Sequence, residues 1–219
     1  MTPKKSQITL VFFLFIFYTN SFGQKLIPYH VSEDVSINIP QEFSITDTLG
    51  QNLIKAFIED EIILIMKPEK KVDAYIEDKD ELLKFYEGYY DGMLDQSKGQ
   101  TISKEFVQIN GLFFLKSSFK TKISGANKIW NNYILLLNKT PYSFLMISTP
   151  ENNKVEFFEN KIIQSIKLRK DLTSKNQMNT NEEDSQAYKI GELVGKFFMY
   201  ALIGGIIVHF ISRKKNKDS

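Results

Sequence analysis

Apolar and polar residues alternate with two different periods through the middle of the chain, which predicts a mixed α and β domain. Val35, Ile37 and Ile39 alternate with polar neighbours up to Pro40, the pattern of a half-buried strand closed by proline. Residues 52–59 and 61–67 are two apolar runs about an acidic turn and predict a hairpin. Asp78 followed by Glu81 is a capping-box start for a helix whose buried face is Leu82, Tyr86, Tyr90, Met93 and Leu94. Period two then returns over 101–109, 112–123, 128–137 and 142–148. The Asn110-Gly111 pair favours a tight hairpin between the first two of these runs. A last helix is expected from Thr149 as N-cap and Pro150 as its first residue, with Val155, Phe158, Ile162 and Ile166 on one face down to Leu168. Strands joined by short turns imply antiparallel pairing, so the predicted fold is α+β, an antiparallel sheet with packed helices in an α/β/α sandwich.

Both ends depart from this pattern. Lys4 and Lys5 precede an apolar run from Ile8 to Tyr18, and Ser21 and Gly23 follow at signal-peptidase spacing. Residues 1–23 therefore read as a secretory signal peptide. Leu193 to Ile211 is apolar apart from Lys196 and His209. Its 19 residues reach about 28 Å at ~1.5 Å per residue, enough for a hydrocarbon core of about 30 Å. A transmembrane helix is expected over 188–212, with a basic cytoplasmic tail over 213–219. Arg213, Lys214 and Lys215 follow the apolar run and Glu182, Glu183 and Asp184 precede it, which by the positive-inside rule puts the tail in the cytoplasm. Between these parts lie an extracytoplasmic domain, 24–169, and a polar segment, 170–187, with the composition of a flexible linker. The expected location is that of a single-pass membrane protein with its domain outside the cytoplasm, periplasmic if the cell has two membranes.

Composition narrows the chemistry. With no cysteine among 219 residues, disulfides, thiolate metal sites, a cysteine nucleophile and lipid attachment through cysteine are excluded. A net charge of +2 with the basic residues dispersed does not favour a nucleic-acid partner. The two histidines, His30 and His209, lie at opposite ends of the chain, so no histidine pair for zinc forms within the domain. The acidic clusters, residues 59–61 and Glu77, Asp78, Asp80 and Glu81, suit a hairpin tip and a helix N-terminus. No metal site or cofactor is expected.

Two features suggest contacts with partners. Gly191, Gly195, Ala201 and Gly205 repeat a four-residue spacing of small side chains, which lets two helices approach closely. Tyr86, Tyr89 and Tyr90 crowd one helix beside Gly88 and Gly92. They fit either core packing or an exposed partner surface, and the glycines allow close approach to the sheet or a groove.

The strand at 36–40, reading SINIP, the turn at 109–114, reading INGLFF, and the closing segment 164–168, reading QSIKL, are similar to the PsbP-like fold shared with small Ran-binding proteins. The resemblance runs from Tyr29 to Leu168 and concerns the fold. It implies a binding or assembly module rather than an enzyme, and no partner-contacting residue of those families maps onto this sequence. The expected function is a non-catalytic membrane-tethered module of unknown partner. Two alternatives stay open, a hydrolase working through carboxylates alone and an accessory subunit acting through its transmembrane helix.

Overall fold

The structure, a computed structural model, describes residues 25–58, 61–123, 125–151, 155–178 and 186–215, with side-chain surroundings up to residue 203. The expected signal peptide, residues 1–23, lies outside the described residues.

Seven antiparallel strands form the main sheet in the order β3-β4-β5-β9-β8-β7-β6. Its strands are β3 (Phe43–Thr48), β4 (Gln51–Ile58), β5 (Glu61–Pro68), β6 (Gln100–Ile109), β7 (Leu112–Ile123), β8 (Ala126–Leu137) and β9 (Thr140–Ser148). A smaller sheet is made by β1 (Leu26–His30), β2 (Val35–Pro40) and β10 (Lys167–Leu168), in the order β1-β2-β10. Asn110 and Gly111 both have positive φ, 51° and 82°, and form the two-residue turn between β6 and β7. Glycine reaches that left-handed region without a Cβ penalty, which is why the Asn-Gly pair was a strong turn signal.

Alternation along the strands gives the main sheet two apolar faces. One packs on the small sheet and on an irregular helical stretch through Ile37, Ile39, Phe114, Phe144, Phe158 and Ile162. The other packs on helix α1 (Lys79–Ser97) through Leu64, Met66, Leu115, Trp130, Ile134 and Leu145. Asp78 caps α1 as expected, its Oδ1 accepting from the Glu81 amide at 3.0 Å. Trp130 is buried against Phe119, with ring centroids 5.4 Å apart.

The helix expected after Thr149 is shorter and less regular than its start signal implied. The chain is helical from Val155 (α2, Val155–Phe157), continues as a π-helical turn over Phe158–Ile162, and ends as a 3-10 turn over Ile163–Ser165. Phe158, Ile162 and Ile166 are all buried as the pattern required. Lys167 and Leu168 then leave the helix to pair with β2.

Candidate functional site

The C-terminal helix α3 (Ala187–Lys215) lies against α1. Four glycines define the seam. A Cβ on Gly88 would meet the backbone of Tyr188 and Glu192, and one on Gly92 the backbone of Glu192 and Lys196. Reciprocally, a Cβ on Gly191 would overlap the Phe85 carbonyl and one on Gly195 the Tyr89 carbonyl. Contacts climb together along both helices, from Gly88 with Tyr188 to Gly92 with Lys196, so the helices run parallel. Only glycine at these positions permits backbone-to-backbone contact, the property that makes the small-xxx-small pattern a helix-pairing device.

Side chains extend the seam. Phe198, Met199, Ala201 and Leu202 are buried, and the Phe198 ring sits 5.2 Å from that of Tyr89. Burying side chains of this size stabilises by about 1.5–3 kcal/mol each. The Tyr188 hydroxyl donates to Asp91 Oδ2 at 2.8 Å, and Lys196 pairs with Glu192 and, at 3.9 Å, with Asp95.

This seam places the residues singled out from the sequence. Gly191 and Gly195 do pair a helix, but the partner is α1 of the same chain, and Ala201 is buried. The surroundings of Gly205, Arg213, Lys214 and Lys215 lie outside those described. The tyrosines do not form a partner surface. Tyr86, Tyr89 and Tyr90 have 0, 0 and 2 % of their surface exposed. α1 is buried on two sides, with Tyr86 and Tyr90 towards the sheet and Phe85, Gly88, Tyr89 and Gly92 under α3. Burial pushes the Tyr89 hydroxyl well above its usual range and Tyr86 upward likewise.

The segment leading into α3 also differs from expectation. Residues 170–187 read as a flexible linker, yet 170–178 are fastened to the domain. Leu172 and Gln177 are buried, and Asn176 accepts from the Asn138 amide at 2.7 Å. Where β7 and β8 splay apart, the Gln177 side chain fills the gap. Its Oε1 accepts from the Phe113 amide at 2.8 Å, and its Nε2 donates to the carbonyls of Phe113 and Leu136 at 2.8 and 3.2 Å. The Tyr86 hydroxyl completes the plug, donating to the Phe113 carbonyl and accepting from the Leu136 amide, both at 2.9 Å. A polar segment becomes fixed because its amide satisfies backbone groups that the split sheet leaves open. Residues 179–185 lie outside the described residues.

The surface of α3 facing away from α1 is apolar. Leu193, Phe197, Tyr200 and Ile203 are 55, 49, 52 and 38 % exposed. An open groove continues from Val194 and Phe197 to Leu49, Pro68 and Val72. A second depression holds Lys98, Lys120 and Lys122 beside Ser97 and Thr121, whose hydroxyls donate to the carbonyls of Leu94 and Ser97 at 3.1 and 2.6 Å. Among the described residues no group of three or more His, Cys, Asp or Glu stands where a metal ion would bind. Among them also, no helix is long and apolar enough to cross a membrane.

No family model matches the chain, and no curated protein matches its sequence. Solved structures are similar in fold. One is the solution structure of cyanobacterial PsbP from Synechocystis, with 10 % identity and a TM-score of 0.48 over 68 % of this chain and 96 % of that one. A Pseudomonas aeruginosa protein of unknown function has 12 % identity and a TM-score of 0.42 over 66 % of this chain and 97 % of that one. A Bacteroides thetaiotaomicron protein has 16 % identity and a TM-score of 0.39 over 63 % of this chain. This chain spans 46 % of its length.

Proposed function

We propose that the protein is a non-catalytic binding or assembly module held at a membrane by its C-terminal helix, with the domain on the extracytoplasmic side and Arg213, Lys214 and Lys215 in the cytoplasm. One observation carries the reading: α3 is apolar on the side it turns away from the domain, at Leu193, Phe197, Tyr200 and Ile203. The sequence continues apolar to Ile211 before the basic tail. A helix that only completed a soluble core would carry a polar outer face. Attachment to a surface raises the effective concentration of the domain for partners on that surface. The partner itself is a protein or ligand of unassigned chemistry, and no cofactor enters the proposal.

Carbonate extraction of membranes tests this reading, comparing the full-length protein with an Ile206→Asp/Val208→Asp variant. The full-length protein is expected in the pellet and the variant in the supernatant. Recovery of the unaltered protein in the supernatant contradicts the proposal.

A further inference from the structure

The helix that attaches the protein and the helix that completes the domain are one helix, and both uses draw on the same residues. Spanning needs 193–211, a reach of about 28 Å against a core of about 30 Å. In the docked position Gly195 lies in the seam and Phe198, Met199, Ala201 and Leu202 are buried, and all five lie inside that stretch. With the seam closed, nine residues remain, from Ile203 to Ile211, all apolar except His209. They reach only about 14 Å, less than half the hydrocarbon thickness.

Sinking the closed seam into the bilayer does not recover the missing length. Leu193 sits one residue beyond Glu192, which together with Asp95 faces Lys196, while Asp91 accepts from Tyr188. Lowering Leu193 into hydrocarbon would take these three carboxylates with it, and burying such groups in a membrane is strongly disfavoured. Resting on our membrane reading, we infer that docking on α1 and spanning the bilayer are mutually exclusive states of α3. The groove lined by Phe85, Gly88, Tyr89 and Gly92 is the docking site for the protein's own membrane helix. It is filled before insertion and vacated when the helix spans. In the docked state the groove covers half of a strongly apolar helix; in the spanning state it is open to another helix with small residues at four-residue spacing.

The absence of cysteine makes the test direct. A single Ser219→Cys reports which side of a sealed vesicle the tail occupies, read with a membrane-impermeant maleimide added on the domain side. The full-length protein is compared with its Gly88→Leu and Gly191→Leu variants, whose substitutions lie outside 193–211 and block the seam from either helix. Emission from Trp130 monitors the fold, since that ring is buried on the sheet side of α1. If the two states exclude each other, the unblocked protein shows a labelled docked fraction, and labelling falls at least threefold in both variants as spanning takes over. Unchanged or increased labelling in both, with Trp130 still buried, overturns the inference. Complete labelling in all three proteins together with release by carbonate overturns the membrane reading instead.

Discussion

α1 and α3 meet through the same device, a pair of glycines four residues apart on each helix, but they differ on the sides turned outward. α1 carries Lys84, Glu87, Asp91 and Asp95 there, and its partly exposed side chains form ion pairs such as Lys84 with Glu81 at 2.7 Å and Lys104 with Glu87 at 3.7 Å. α3 carries Leu193, Phe197, Tyr200 and Ile203. A helix with two buried sides and a charged third is at rest in water, whereas one with an apolar outer stripe has surface left to cover. The contrast separates what each helix does for the domain from what it does for its surroundings.

Blocking the seam has the largest expected effect on that comparison. A leucine at Gly88 or Gly191 must push apart two backbones in contact, and overpacking of this kind costs about 3 kcal/mol or more. Hydrogen exchange should show loss of protection over 187–202, with α1 and the sheet still protected. Loss of protection throughout would mean that α3 is integral to the core rather than docked on it.

Removing the fastening ahead of α3 comes next. Gln177→Leu leaves backbone groups of Phe113 and Leu136 without their side-chain partner, an expected cost of about 2 kcal/mol in urea denaturation. Tyr86→Phe strips the same gap of its hydroxyl and should cost about as much. Together the two should cost less than the sum, because they serve one site.

The outer stripe should separate stability from attachment. Leu193→Ser with Phe197→Ser is expected to change domain stability by no more than about 0.5 kcal/mol, while flotation with vesicles declines. The same pair of changes made on the outer side of α1, at Lys84 and Glu87, should alter neither. The smallest effect is the loss of one exposed hydrogen bond. The Tyr188 hydroxyl donates to Asp91 at 2.8 Å, and Tyr188→Phe should cost no more than about 0.5 kcal/mol in urea denaturation.

Strands and turns were largely legible because their signals are local. Alternation at Val35, Ile37 and Ile39, the Asn110-Gly111 turn and the Asp78 cap each act within a few residues. What eluded the pattern depends on partners distant in the chain. β3 has few buried positions to alternate, being an edge strand. Gln177 looks like any linker glutamine until β7 and β8 splay apart around it. The tyrosines stayed ambiguous between core and surface because the helix periodicity at Leu82, Tyr86, Tyr90 and Met93 accounts for only one buried side. A signal for the second was present, Gly88 and Gly92 matching the spacing of Gly191 and Gly195, and pairing the two motifs with each other would have joined the helices.

Whether α3 occupies two alternative positions is tested most directly by a distance across the seam in vesicles. Spin labels at Lys84→Cys and Leu193→Cys, in the otherwise cysteine-free chain, report the separation of the outer sides of α1 and α3. Two populations are predicted, a short one with the seam closed and a longer one with the helix across the membrane, and Gly88→Leu should retain only the longer. A single short distance in vesicles where the tail has already crossed would contradict the account.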